Sequence, residues 1–137
     1  MDISIDAAEV TAFATRMAGY PARAQAEWHT AGTASGQAVQ RLAQSRIQVD
    51  TGAAKAQTTM ESVSSSPAGV TVIVSSRATS GRGFPYPIVL NTGRTKGRRG
   101  GAYPGNRFFD SSIEDAGPFI DNAFGQAADR LLAWAAG

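Results

Sequence analysis

Apolar residues recur at helical intervals near the start of the chain. Val10, Phe13 and Met17 are spaced three and four residues apart, so they would share one face of a helix. We therefore predict a short helix over residues 6–18, which Gly19 can end.

A second, longer amphipathic pattern predicts a helix over residues 21–47, about 40 Å in length. Pro21 suits its first turn. Gly32 and Gly36 each cost about 1 kcal/mol relative to alanine inside a helix. Because small residues let another backbone approach closely, we expect a neighbouring element to pack on this face. The stripe that forms the face consists of Ala24, Trp28, Ala31, Ser35, Ala38 and Leu42, with Val39 beside it.

Alternating apolar and polar residues in the middle of the chain predict a β-hairpin. Residues 70–76 read VTVIVSS and form the clearest strand, and residues 57–65 form the weaker strand before it. A third strand is expected over residues 84–93, either at a sheet edge or as a short strand entered through its two prolines, because prolines cannot donate backbone hydrogen bonds. The whole sheet region spans about residues 57–92.

The last apolar stripe predicts a helix over residues 117–135. Pro118 would lie in its first turn, and Asp115 is a candidate cap before it. The apolar face consists of Ile120, Ala123, Phe124, Ala127, Leu131 and Trp134.

This order of elements predicts an α+β fold in a single domain over residues 1–137. Two N-terminal helices precede a small antiparallel or mixed sheet, made of the hairpin and the third strand. A long basic, glycine-rich loop at about residues 93–107 and the C-terminal helix follow. Helices lying on one face of the sheet would bury the apolar sides of both.

Composition fits one globular domain with a modest core. Hydrophobic residues make up 42% of the 137 residues and charged residues 18%, and fifteen glycines indicate substantial loops. The absence of cysteine excludes disulfides and thiolate chemistry. The N-terminal segment has acids where a signal peptide has basic residues, and no run of about 18 apolar residues occurs. We therefore expect a protein made in a cytoplasm, with no membrane association.

Charge is distributed unevenly along the chain, although the net charge is only +2. Residues 62–109 contain seven basic residues and no acidic residue, a charge of +7, whereas the remainder has six basic and eleven acidic residues, a charge of −5. Such a subunit can attract copies of itself or turn one face to a polyanion.

The basic loop reads GRTKGRRGGAYPGNR and is followed by two phenylalanines. Its cations could contact DNA phosphates or an acidic protein, or remain solvated. The neighbouring aromatic residues could stack on bases, or anchor the loop and the final helix to the core. The candidate contact residues are Arg94, Lys96, Arg98, Arg99 and Arg107, and the candidate anchors are Tyr103, Phe108 and Phe109.

Candidate catalytic and metal-binding groups are few. His29 is the only histidine, and no G-x-S-x-G motif is present. Glu114 and Asp115 are adjacent, so on a helix they would point about 100° apart and chelate poorly. The glycine-rich loop lacks the G-K-[ST] of a phosphate-binding loop. We therefore expect no enzymatic activity, no cofactor and no metal.

Three short segments, taken in order, resemble one protein family. VDTGAAKAQTTMES, from residue 49, resembles a hydrophobic-D-T-G-x-L-x-x-S segment, and YPIVLNTG, from residue 86, resembles Y-A-x-x-x-E-x-G-T, with Asn91 in place of the glutamate. NRFFDSSIEDA, from residue 106, resembles P-F-[FL]-x-x-A at the entry to a last helix. The family comprises the neck, tail-completion and head–tail joining proteins of long-tailed bacteriophages, and the resemblance covers about residue 49 to the C-terminus.

The resemblance implies a non-enzymatic subunit of a ring between the portal-bearing head and the tail, with DNA passing through its centre. It implies a place at the head–tail junction of the virion, after assembly in the host cytoplasm. The implied partners are further copies of the chain and adjacent head-completion and tail-tube or tail-terminator proteins, with non-specific DNA contact in the channel also open. The alternative from the residues alone is a small, non-specific nucleic-acid-binding protein that uses the loop as a basic arm.

Overall fold

The protein has a mixed α+β fold in which helices flank a two-stranded antiparallel hairpin. The structure is a computed structural model that describes residues 6–47, 53–78, 87, 91–92, 105 and 107–137. Its elements are α1 (Ala7–Ala18), α2 (Tyr20–Arg46), the single turn α3 (Ala53–Ala56), β1 (Thr58–Ser66), β2 (Gly69–Ser76) and α4 (Phe108–Ala136).

The first two helices begin and end at local signals. The Asp6 side chain accepts a hydrogen bond from the backbone N–H of Ala8 at 2.8 Å and so caps α1. Gly19 follows its last turn and donates to the Arg16 carbonyl at 3.0 Å. Pro21 lies in the first turn of α2, where its missing N–H leaves no hydrogen bond unmade. Both predicted helices are confirmed to within about a residue at each end.

The hairpin pairs residue 58 with residue 76 at its open end and residue 66 with residue 69 at its turn. Glu61 is an additional residue in β1, since Met60 pairs with Val74 and Ser62 with Ile73. The turn occupies Pro67 and the alanine after it. The predicted hairpin is therefore confirmed.

α2 is the central element, and it contacts the hairpin on one side and α4 on the other. The α2 side chains Gln25, Trp28, Gln40 and Gln44 hydrogen bond to the backbone of β1 or of the hairpin turn, at 2.8–3.1 Å. The predicted stripe is only partly buried. Because α2 contacts both the hairpin and α4, its buried face also includes residues outside that stripe. The buried positions of α2 are Ala24, Glu27, Ala31, Gly32, Ser35, Gly36, Val39 and Ala43.

The expectation that the small residues of α2 admit a close neighbour is met by the hairpin. A Cβ atom built on Gly32 would lie 2.8 Å from both methyl groups of Val70. One built on Gly36 would lie 2.6 Å from Sδ of Met60 and from Cγ1 of Val72. Hydrogen in place of a side chain therefore sets the distance between the α2 backbone and the sheet.

Among the described residues, the hydrophobic core is small. Its cluster consists of Ala43, Ile47, Ala78 and Phe108, with Phe109 packed against it. Of the described side chains that are less than 2% exposed, the largest are Phe108, Thr58 and Ser112, two of which are polar. Within the described part of the chain, little bulky apolar side-chain volume is therefore buried.

The predicted start of the last helix is wrong. α4 begins at Phe108 rather than near residue 117, so Pro118 lies inside the helix and Asp115 does not cap it. Asp115 instead pairs with Arg46 of α2, at 2.6 Å. The first turn of α4 is capped by Asn91, a residue distant in sequence, whose side-chain oxygen accepts hydrogen bonds from that turn.

The predicted third strand over residues 84–93 falls mostly outside the described residues. The described positions within it, Pro87, Asn91 and Thr92, have helical rather than extended backbone, so the prediction is wrong at those positions. Proline fits the first turn of a helix as well as a sheet edge, which explains why the pattern misled. Within the described part of the chain, no helix is both long and apolar enough to span a membrane.

Candidate interaction surfaces

An apolar groove runs between the hairpin and α4, with α2 as its floor. The floor is formed by the small residues of α2, one wall by the valines of β2 and the other by apolar residues of α4. Its volume is about 340 Å³, which is within the size range of clefts that bind other molecules. The residues that define it include Gly36, Val39, Val72, Ile113, Ile120 and Phe124.

Polar contacts near both ends of α2 fix the position of the α4 wall. Glu27 is only 8% exposed, and its two oxygens accept from Arg23 at 2.9 Å and from Arg130 of α4 at 2.8 Å. Near the other end, Arg46 donates to the Ser111 hydroxyl at 3.0 Å. A buried carboxylate needs such partners to offset its lost hydration. These contacts attach α4 to α2 on either side of the groove residues.

Several large apolar side chains are exposed outside the groove. No residue of α1 is buried, and Val10 and Phe13 are 53% and 52% exposed. Phe119 and Leu132 of α4 are 48% and 69% exposed. Exposed apolar side chains that cluster mark interaction surfaces, whereas isolated ones are ordinary. Val10 and Phe13 share one face of α1.

Most of the predicted contact and anchor residues of the loop lie outside the described residues, namely Arg94, Lys96, Arg98, Arg99 and Tyr103. Arg107 is described and is exposed. Its backbone is left-handed, with φ 51°, and its guanidinium donates to Glu114 at 2.6 Å. This hydrogen bond and the nearby negative charge raise the pKa of Arg107 above its ordinary value. Any partner that contacts Arg107 would therefore also meet the carboxylate of Glu114.

The two phenylalanines after the loop differ in burial. Phe108 is 1% exposed and packs in the core cluster with Ala43, Ile47 and Ala78. Phe109 is half-buried and meets Phe108 edge to face, with ring centroids 6.1 Å apart. A ring as enclosed as that of Phe108 cannot stack on a base, so its position suits an anchor for the start of α4.

Asn91 caps α4 from outside the helix, and the sequence pattern did not reveal this. Its side-chain oxygen accepts from the backbone N–H groups of Phe109 at 3.0 Å and Asp110 at 3.1 Å. Its own carbonyl accepts from the N–H of Arg107 at 3.0 Å. Arginine cannot supply a capping acceptor, so the remote asparagine satisfies N–H groups that the first turn leaves unpaired.

Replacing Asn91 by alanine is expected to lower the free energy of unfolding by about 0.5–2 kcal/mol, the range for losing a cap. Asn91→Asp keeps an acceptor and adds a negative charge at the positive end of the helix, so it should retain most of the stability. Urea denaturation followed by circular dichroism measures both. Equal losses in the two variants would show that the capping oxygen is not what stabilises α4.

His29 lies on α2 beside the hairpin turn. It is exposed, and its Nδ1 is 3.4 Å from the Ser65 hydroxyl. Within the described part of the chain, no group of three or more histidine or acidic side chains is placed to hold a metal ion.

Comparison of the chain with protein-family models, with curated proteins and with solved structures finds no match.

Proposed function

We propose that this chain is a structural subunit of the head-to-tail connector of a long-tailed bacteriophage. It would form a neck or tail-completion ring that joins the portal-bearing head to the tail and surrounds the DNA channel. The observation that supports this most directly is that, among the described residues, the core cluster is small and apolar side chains of α1 and α4 are exposed. A chain of this kind gains stability when neighbouring copies cover those surfaces.

The three segments that resemble connector proteins have related places in the fold, which supports the proposal. The first leads through α3 into β1, and the third starts α4. The second contains Asn91, which hydrogen bonds to Phe109 and Asp110 of the third. Two of the segments therefore meet in space at the entry to the last helix.

The uneven charge supports association of unlike faces. A region of charge +7 and a remainder of −5 favour a head-to-tail contact, in which two different surfaces of neighbouring subunits meet. Contacts of this kind close into rings when the rotation between subunits allows it.

The test is the mass and shape of the purified protein, by native mass spectrometry and negative-stain electron microscopy at low and moderate salt. We expect closed rings with a central hole, whose mass gives the copy number. A chain that remains monomeric both alone and when mixed with portal-side and tail-side connector proteins would contradict the proposal.

The nucleic-acid-binding alternative is favoured by the high density of cations in residues 94–99, and one variant separates it from the connector. Replacing Arg94, Lys96, Arg98 and Arg99 together by alanine should leave the circular dichroism spectrum and melting temperature unchanged while impairing connector assembly. The alternative instead predicts tight binding of duplex DNA by the original protein. The logarithm of that affinity would fall with the logarithm of salt concentration, with a slope near −0.9 per neutralised phosphate, and the variant would abolish it.

A further inference from the structure

The outer edge of β1 is the side of that strand that faces away from β2. The alternation of hydrogen bonds in an antiparallel pair identifies the backbone groups on this edge. The N–H of Arg77 donates to the carbonyl of Gln57 at 3.3 Å, so these two residues form a hydrogen-bonded pair. Residues 58 and 60 therefore point their N–H and C=O groups outward.

The additional residue in β1 shifts this alternation. Before Glu61 the even-numbered residues point outward, and beyond it the odd-numbered residues 63 and 65 do. A regular strand laid along this edge could match the backbone groups on one side of the bulge but not on both. Glu61 also places a carboxylate at the break, where it pairs with Arg77. Bulges and charged residues of this kind keep sheet edges from pairing with other chains.

Three glutamine side chains of α2 hydrogen bond to backbone groups that point outward from β1. An amide side chain has both a donor and an acceptor, so it can pair with a backbone carbonyl or with a backbone N–H. Two of the three donate to carbonyls and one accepts from an N–H, as residues of a neighbouring strand would. The bonds are Gln44 to the Thr58 carbonyl at 2.8 Å, Gln25 to the Ser65 carbonyl at 3.1 Å, and Gln40 from the Met60 N–H at 2.8 Å.

The close approach of α2 to the hairpin brings these amides within reach of the edge. A Cβ atom on Gly36 would meet side-chain atoms of Met60 and Val72 at 2.6 Å, so the α2 backbone lies directly on the strands. At 100° per residue, Gln40 lies only about 40° around α2 from Gly36. It can therefore extend past this contact to the backbone of β1.

We infer that these three glutamines close the outer edge of β1 against the addition of another strand. They occupy hydrogen-bonding groups of the edge, and the bulge breaks the regular spacing that a partner strand would need. Without the glutamines, β1 of a second copy would take their place, because two identical edges that pair antiparallel are self-complementary. The inference does not rest on the connector proposal. It does imply that subunits of a ring join through surfaces other than this edge.

A triple variant with Gln25→Ala, Gln40→Ala and Gln44→Ala tests the inference, since alanine removes the amides and favours the helix. Ser64→Cys, at an exposed position of β1, supplies the only thiol of the chain and carries a pyrene label. Two pyrene rings that lie side by side emit excimer fluorescence. We expect the ratio of excimer to monomer emission to rise at least about tenfold over the labelled original protein, because paired β1 strands hold the labels close. The ratio should also increase with protein concentration.

The matched control removes three exposed polar side chains from other positions of α2, with Thr30→Ala, Gln37→Ala and Ser45→Ala. The hydroxyls of Thr30 and Ser45 bond to carbonyls of α2 itself. This control should give no more excimer than the original protein. A label at Leu132→Cys, on an exposed part of α4, should give no increase in the triple variant, which would place the association at β1.

The inference is overturned if the triple variant keeps its circular dichroism spectrum and gives no more excimer than the control. Equal excimer in the original protein would also refute it, because the edge would then be open with the glutamines in place. Should the triple variant unfold, Gln40→Ala alone is compared with Gln37→Ala under the same criteria. Ser62→Lys added to the triple variant should remove the excimer, since like charges on paired strands repel, and an excimer that persists would contradict pairing through β1.

The outcomes separate this inference from the proposed function. Rings of the original protein whose β1 labels give excimer would refute the inference and support the connector role. An original protein that stays monomeric alone and with connector proteins, with a triple variant that gives excimer, would support the inference and contradict the connector role.

Discussion

Phe108→Ala is expected to lower the free energy of unfolding by about 3–5 kcal/mol, the range for removing a buried aromatic ring. Phe108 is 1% exposed, and the side chains around it are largely small. Alanines such as Ala43 and Ala78 have no side-chain freedom with which to fill the space. Because a domain of this size is typically stable by only about 5–15 kcal/mol, the loss would leave the protein close to unfolding.

Phe119→Ala is the matched control for this change. Phe119 lies on the same helix but is 48% exposed, so its loss should cost less than about 1 kcal/mol. Urea denaturation of both variants, followed by far-ultraviolet circular dichroism, gives the two values. Similar small losses in both would mean that the contacts of Phe108 do not hold α4 to the core.

The elements that the sequence predicted well are those whose signals are local. Asp6 and Pro21 lie at the ends that they define, and the alternation of β2 lies within one strand. The start of α4 depends instead on Asn91, which lies 18 residues before Phe109 in sequence. A local reading therefore assigned the cap to Asp115, a residue that pairs with Arg46.

The candidate surfaces were harder to predict for the same reason. The apolar faces of α1 and α2 follow from helical spacing, but the groove exists only where α2, β2 and α4 meet. Its α4 wall is held partly by Glu27 and Arg130, which are 103 residues apart in sequence. Spacing along one helix could not reveal that a charged residue on the buried face of α2 has two arginine partners.

Gly36→Ala is expected to destabilise the fold, although alanine is the better helix former. The added Cβ would lie 2.6 Å from Sδ of Met60 and from Cγ1 of Val72. Methionine can bend away, but the valine methyl is fixed close to the strand backbone. Overpacking of this kind costs about 1–3 kcal/mol, which outweighs or offsets a gain of about 1 kcal/mol in helix propensity.

Gly125→Ala isolates the steric cost, because it gives α4 the same gain in propensity and its Cβ would meet nothing within 4 Å. It should stabilise the protein by about 1 kcal/mol, so the difference between the two variants measures the overpacking at Gly36. Val72→Ala removes the obstructing methyl groups, and in that background Gly36→Ala should lose most of its cost. Additive effects of Gly36→Ala and Val72→Ala in urea denaturation would show that the hairpin does not rest on the glycine, because residues in contact deviate from additivity.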